Sequence, residues 1–471
     1  MTISTLSMPS LLSRAFVYPL QERLLQRPTM AYLADLERTQ WLSRQEIEAL
    51  QERKLAQLLR LASRYCPWHT KRLEQVGLKP EQCEALSLRS LQEIPTMTKE
   101  DIRAHAEHMM WREVPGGAHA YNTGGSSGAP LKFHFGRWRQ ASDAAGRIRA
   151  RRWWGVDLGD REVYLWGAPV ELGKTDRIKT IRDRLLNQLV LNAFEMSKSN
   201  MDEYLDAIEA YDPSCIYGYA SSIALLAAHA SLQRRNPHLR SLKVVCTTGE
   251  PLYPHQRELI ARVFKAGIAN EFGSRDVGFT AHETPNGQML LMSESIVLEV
   301  LMENGRPAQT GELGEAVVTG LCSDAQPFIR YRTGDMVRMA DELCKAGRGL
   351  HVIQEVMGRT TDFVVRADGT IMHALALIYV LRGVTGIAQF KVIQHGIQDM
   401  EVQIVADSQW QEVYRREIVS GLQARLGTEV KISISLVDSI ALEASGKYRY
   451  VVSHVKLSDA LATSLQAPAL H

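Results

Sequence analysis

The sequence predicts a layered α/β protein in two parts: a large N-terminal domain over residues 1–357 and a small α+β domain over residues 358–471. Three observations predict it. Short β-like runs alternate with amphipathic helical stretches through the first part, the pattern of α/β layers around a largely parallel sheet. From about Gly358 the pattern changes to closely spaced, alternating strand-like runs. The 471 residues are 45% hydrophobic and 23% charged, ordinary usage for a globular chain with a sizeable core.

The first 25 residues, MTISTLSMPSLLSRAFVYPLQERLL, are mildly apolar. Pro9, Arg14 and Pro19 interrupt them and no basic stretch precedes them, so they read as neither a signal peptide nor a bilayer span. They are expected to pack on the large domain, with docking to a membrane or a partner as the alternative. Ser43 and Glu46 form a capping box that opens a long helix, with Ile47, Leu50, Leu55, Leu58, Leu59 and Leu61 on its apolar side and Pro67 at its end. Asn200 followed by Glu203 opens a second helix, with Met201, Tyr204, Leu205, Ile208 and Tyr211 on one face. Strands are expected at 163–166, 244–247, 268–271 and 316–319. In the small domain, 363–365 and 370–372 flank Asp368-Gly369 as a hairpin, 391–394 and 401–405 form another pair, and 430–436 alternates. The last dozen residues are expected to fray.

Net charge is +2, so no whole-chain field calls for nucleic acid or an anionic surface. The six cysteines, at 66, 83, 215, 246, 322 and 344, contain no CxxC pair and fit a reducing cytoplasm rather than a disulfide framework. Cys322, Cys344, His282 and His351 lack paired ligand spacing, and no structural zinc is expected. Arg137, Arg139, Arg147, Arg149, Arg151 and Arg152 cluster on one helix. A solvated face is the first expectation for them; a docking site for an acidic carrier protein or a sugar phosphate is the alternative.

The most informative stretch is Thr123-Gly124-Gly125-Ser126-Ser127-Gly128-Ala129-Pro130. Glycines let a backbone turn its N–H groups toward one point and hydroxyls add donors, which suits a polyphosphate; alone, the stretch could equally be a Ser/Gly turn. Further Gly-containing polar turns follow in order: 247–252 (TTGEPL), 270–276 (NEFGSRD), 330–335 (RYRTGD), 358–362 (GRTTD) and Ser445-Gly446-Lys447. Several stand at strand ends, where open α/β sheets bind ligands.

In this order the set resembles the adenylate-forming (acyl-activating) enzyme superfamily. More narrowly it resembles the phenylacetate–coenzyme A ligase family and its branch named for capsular polysaccharide synthesis. The segments 62–69 (ASRYCPWH) and 94–103 (IPTMTKEDIR) are similar to those preceding the phosphate loop there, and the resemblance spans roughly 40–455.

The resemblance implies ATP-dependent activation of a carboxylic acid to an acyl-adenylate, with release of pyrophosphate, then transfer to coenzyme A. By this resemblance Thr123, Ser126, Ser127 and Gly128 hold the β- and γ-phosphates. Glu250 and Pro251 line the adenine pocket, where Glu250 could otherwise cap a helix over 254–264. Phe272 stacks on adenine in place of the more usual Tyr. Asp276 stands where the family has Glu and would be the Mg²⁺ carboxylate, its competitor being a helix cap. Asp335 accepts the ribose hydroxyls unless it merely closes a turn, and Arg359 meets ribose or phosphate. Lys447 reaches in from the small domain to neutralise the pentavalent phosphate; its bland alternative is a surface lysine.

Trp166, Gly167, Tyr217 and Tyr219 would shape the acyl pocket, or else serve as ordinary core. The expected hinge near Gly358 departs from the family pattern at Thr361 and Asp362. Only 368–370 offers the turn expected near coenzyme A. An acceptor other than coenzyme A (an amino sugar, a hydroxyl or a carrier protein) therefore stays open, as do a homodimer and an inactive nucleotide-binding scaffold.

Overall fold

The computed structural model describes residues 7–78, 87–122, 131–166, 176–193, 198–249, 252–359, 363–366, 371–373, 375–440 and 451–455. A short antiparallel pair, β1 (His119–Asn122) and β2 (Lys132–Phe135), brackets the Gly/Ser stretch, with Asn122 opposite Lys132. Leu131, Phe133 and Phe135 of the alternating run are buried. Gln140 holds the pair to the following helix by donating to the Tyr121 hydroxyl at 3.0 Å.

Among the described residues the main sheet has eleven strands. Its first half is β3 (Glu162–Trp166), β4 (Gln188–Asn192), β5 (Cys215–Tyr219), β6 (Val244–Thr248) and β7 (Gly267–Ser274). Its second half is β8 (Gly278–Glu283), β9 (Met289–Leu291), β10 (Ile296–Leu301), β11 (Leu313–Gly320), β12 (Tyr331–Ala340) and β13 (Val352–Arg359). The order is β10-β11-β12-β13-β9-β8-β7-β6-β5-β3-β4.

The expectation of a largely parallel sheet needs correction. β4-β3-β5-β6-β7 pair in parallel, whereas every pairing from β7 to β10 is antiparallel. Only the parallel half has helical crossovers; β7 returns into β8 through a short turn, and a short turn can join only antiparallel strands. The expected strands at 163–166, 244–247, 268–271 and 316–319 lie in β3, β6, β7 and β11.

The helix Arg44–Tyr65 opens on the capping box, with Ser43 accepting from the Glu46 N–H. Ile47, Leu55, Leu58 and Leu59 are buried, while Leu50 and Leu61 are half-buried. The helix ends just before Pro67, as expected, with Cys66 extended ahead of the proline. Pro67 takes the first position of the next, Pro67–Glu74, where its missing N–H costs nothing. The second expected helix runs Lys198–Tyr211, two residues earlier than its capping signal, and all five of its expected apolar residues join the core between helices and parallel strands. Among the described residues no helix is long and apolar enough to cross a membrane.

In the arginine-rich helix, Arg137–Trp153, the expected solvated face needs correction for half of the six cations: Arg137, Arg147 and Arg152 are half-buried and the other three are buried. The helix is covered by the helix Thr29–Thr39 and by the sheet. Arg139, Arg149 and Arg151 are buried. Burial forces each charge to find an acid. Arg139 meets Asp143 at 3.1 Å, Arg149 pairs with Glu294 and Arg151 pairs with Glu162. Arg152 bridges Glu37 at 2.8 Å and Asp157 at 2.7 Å. Of the pair expected to share a face, Arg151 is buried against Glu162, while Arg147 reaches Glu271 with its Nε at 3.6 Å and keeps 40% of its side chain exposed.

Residues beyond 360 build a separate core. β14 (Phe363–Val365) and β15 (Ile371–His373) pair antiparallel as the hairpin signal predicts, the turn itself lying outside the described residues. β16 (Ile387–Gly396), β17 (Asp399–Ala406), β18 (Lys431–Leu436) and β19 (Val451–Ser453) form a four-stranded sheet in the order β18-β17-β16-β19. Helices Leu375–Arg382 and Tyr414–Leu426 contribute Leu377, Leu381, Ile418 and Leu422 to its core beside Val392, Val402 and Ile404.

Candidate active site at the strand ends

The carboxyl ends of the parallel strands are level. Leu165 lies opposite Gly218, Gly218 opposite Thr247, and Thr247 opposite Asn270. Gly218 is what allows β3 and β5 this approach, since a Cβ there would stand 2.5 Å from the Leu165 carbonyl oxygen. Around it the aromatics converge. Trp166 stacks on Tyr219 with ring centres 4.3 Å apart and planes 12° from parallel, and Trp166 lies 5.9 Å from Tyr217. Trp166 and Tyr219 are half-buried and Tyr217 is buried.

Below the aromatics is a polar knot. The Tyr217 hydroxyl donates to Glu271 Oε1 at 2.9 Å and the Thr248 hydroxyl donates to the same oxygen at 3.0 Å. Burial pushes the Tyr217 phenol well above its ordinary range, and the neighbouring Glu271 carboxylate adds to the shift. Arg147 closes the knot from the helix and also lies over the Phe279 ring at 5.4 Å.

One residue along β7, Phe272 points to the opposite face. It is buried with Met97, Phe133, Phe328 and Tyr331. Asp276 follows in the turn between β7 and β8, not at a helix N-terminus, so the capping alternative falls away. Its carboxylate accepts from Ser274 Oγ at one oxygen and from the Tyr331 hydroxyl at the other, at 2.7 Å. A buried carboxylate flanked by hydroxyls is the oxygen-donor chemistry that suits a hard divalent cation.

Tyr331 begins β12, the strand that carries Asp335. Arg330, at φ 54°, turns the chain into β12 and is held by Glu299 at 3.0 Å and by the Ile94 carbonyl. Gly334, at φ 79°, makes the next kink. Asp335 then sits on β12, buried, its N–H donating to Thr333 Oγ1 at 3.0 Å, with Arg359 its direct partner on β13. The motif therefore forms the start of a strand rather than a surface turn.

The structure brings Trp166, Tyr217 and Tyr219 together, and joins Asp276 through Tyr331 to the strand that carries Asp335 beside Arg359. Thr123, Ser126, Ser127, Gly128, Gly167, Glu250, Pro251, Thr361, Asp362 and Lys447 lie outside the described residues. The helix that Glu250 was expected to cap does form, over Pro254–Phe264, with Tyr253 at its N-cap. Sequence reading passed over Glu271, Thr248, Ser274 and Tyr331. All four stand inside or beside the quoted motifs, but nothing local marks a tyrosine as the partner of an aspartate 55 positions away.

Comparison with known proteins gives concordant results. The CapK C-terminal domain family matches residues 364–454. Protein CapK of Staphylococcus aureus is 22% identical over 377 residues, covering 79% of this chain and 82% of its own length. The phenylacetate–coenzyme A ligase of Thermus thermophilus is 23% identical, covering 71% of this chain and 75% of its own. Among solved structures, a 2-hydroxyisobutyryl-CoA ligase in the postadenylation state, in complex with R3-HIB-AMP, superposes with a TM-score of 0.65 at 21% identity, covering 91% of this chain and 94% of the ligase.

Proposed function

We propose, for a chain that groups with CapK and the phenylacetate–coenzyme A ligases among the adenylate-forming enzymes, that it activates a small carboxylic acid with ATP and passes the acyl group to coenzyme A. In the first step a carboxylate oxygen attacks the α-phosphorus and the bond to pyrophosphate breaks. In the second the thiolate of coenzyme A attacks the acyl carbon, and the C–O bond to AMP breaks. Both steps bring anions together, so positioning and charge neutralisation carry the catalysis.

The observation that carries this reading is the stacked Trp166–Tyr219 pair at the parallel strand ends, with β6 alone between the strand of Tyr219 and the β7 run that leads through Glu271 and Phe272 to Asp276. The flat aromatic wall of Trp166, Tyr217 and Tyr219, with Gly167 beside it, suits an aryl or short acyl acid. Thr123, Ser126, Ser127 and Gly128 clamp the departing pyrophosphate at the β1–β2 connection. Glu250, Pro251 and Phe272 hold adenine, while Asp335 and Arg359 hold ribose. Asp276 would hold Mg²⁺, which supplies charge neutralisation on the phosphates. Lys447 comes from the small domain, whose boundary we set at 357/358, with the hinge near Gly358.

The test is pyrophosphate release from ATP, Mg²⁺ and a panel of acids, with and without coenzyme A. Acid-dependent release, with thioester formed only when coenzyme A is present, is expected. Lys447→Ala should lower release about a hundredfold, as loss of one transition-state charge contact does. Adenylate without thioester would move the acceptor to an amino sugar, a hydroxyl or a carrier protein. No release with any acid would leave a nucleotide-binding scaffold.

A further inference from the structure

The N-terminal helical segment Ser10–Leu24 grips the large domain with polar groups and Tyr18, and turns its leucines and Phe16 outward. The Met8 N–H donates to Asn187 Oδ1 at 2.6 Å, Asn187 Nδ2 donates back to the Met8 carbonyl at 2.8 Å, and Arg14 meets Asp157 at 2.9 Å. Ser13 and Glu22 are buried, Glu22 accepting from Arg27 and Thr29. On the outside stand Leu11, Leu12, Phe16, Leu20 and Leu24, with Leu11, Phe16 and Leu24 72%, 67% and 75% exposed. That inverts the usual amphipathic arrangement, in which the apolar stripe faces the core. Leu12, Phe16, Leu20 and Leu24 recur every fourth residue. The π segment Ser13–Val17, wider than an α turn, offsets the drift that four-residue steps accumulate at 3.6 residues per turn.

The apolar surface has a neighbour. Asn187, which holds Met8, follows the helix Asp176–Leu185, whose Ile181 and Leu185 are exposed, and precedes the edge strand β4, whose Val190 is exposed. Cations accompany it: Arg23 on the first segment, and Arg182 and Arg184 on the second, are exposed. Among the described side chains the acids are withdrawn. Glu22, the one acid in the first 34 residues, is buried, and Asp183 is buried against Arg182.

We propose that this surface docks the protein onto an anionic lipid surface. The leucines and Phe16 enter the boundary between headgroups and acyl chains, and the arginines meet lipid phosphates. A second copy of the chain fits less well. A two-fold interface sets a patch against itself, so these cations would face their own copies with no exposed acid among the described side chains of the two segments to meet them.

The full chain sedimented with phosphatidylcholine vesicles, with and without phosphatidylglycerol, tests this. Binding roughly tenfold stronger with phosphatidylglycerol, and falling as salt rises to about 0.5 M, is expected. Phe16→Ser, Leu20→Ser and Leu24→Ser together should remove the binding at unchanged circular dichroism. Arg23→Glu with Arg184→Glu should remove the preference for phosphatidylglycerol, and decides the matter alone if the triple variant does not fold. The proposal is overturned by no binding of the unmodified chain, by binding that survives these changes, or by a solution dimer that the triple variant converts to monomer.

Discussion

The Tyr331 hydroxyl and the Asp276 carboxylate meet where neither has ready access to water. Tyr331→Phe keeps the ring and deletes one donor, leaving a buried acceptor short of a partner. It should cost about 1–3 kcal/mol in urea unfolding. His69 gives a pH signature. Burial first, and Arg72 second, hold its imidazole down at about 3, so it stays neutral in the folded protein over a range where the unfolded chain protonates. The unfolded state then binds more protons below pH 6.5, and stability is lost as pH falls from about 6.5 toward 3. His69→Gln should flatten the decline in unfolding free energy measured between about pH 6 and 4 by roughly 1 kcal/mol per unit. Neither contact was legible in the sequence. Asp276, Asp335 and Trp166 are singled out by the motifs they stand in; Tyr331 shares the motif of Asp335, but its partner Asp276 lies 55 positions away, and His69 is covered by the distant Pro327 carbonyl as well as by Arg72.

At the scale of the element, the helix Arg137–Trp153 teaches most. Its six arginines suggest a wet face, yet Arg139, Arg149 and Arg151 are buried because a second helix and the sheet close over them. The Arg149–Glu294 pair, 0% and 1% exposed, is the extreme case. Removing one partner strands the other charge, so Glu294→Gln should destabilise by about 3–5 kcal/mol. Arg149→Met with Glu294→Leu should cost less than the single change, because no charge is left behind. A urea double-mutant cycle measures both. Gly146 matters to the same packing, since a Cβ there would stand 2.8 Å from the Phe279 ring.

At the scale of the molecule, two cores are distinct. The core around Leu377, Phe390, Val402 and Leu422 draws its residues from beyond residue 360, and the core around Leu205, Ile216, Val245 and Ile260 from the parallel half of the main sheet. Leu422→Ala, at a fully buried position, should cost about 2–5 kcal/mol. If the boundary at 357/358 is right, calorimetry should show only the small domain's transition moving, while acid-independent nucleotide binding to the large domain is unchanged. A single transition that moves as a whole would argue against that division.

By itself the sequence determined the order of the motifs, the capped start of the helix at Ser43, the apolar face of Lys198–Tyr211 and the hairpin around 363–373. Each is written in a local period or a single residue's backbone preference. Only the tertiary structure decided which arginines are buried, that the sheet turns antiparallel after β7, that Glu271 gathers Tyr217 and Thr248, and that the first helical segment faces its leucines outward. Those outcomes depend on which surfaces meet, and a surface's partner is set by contacts between residues far apart in the chain, which no local period records.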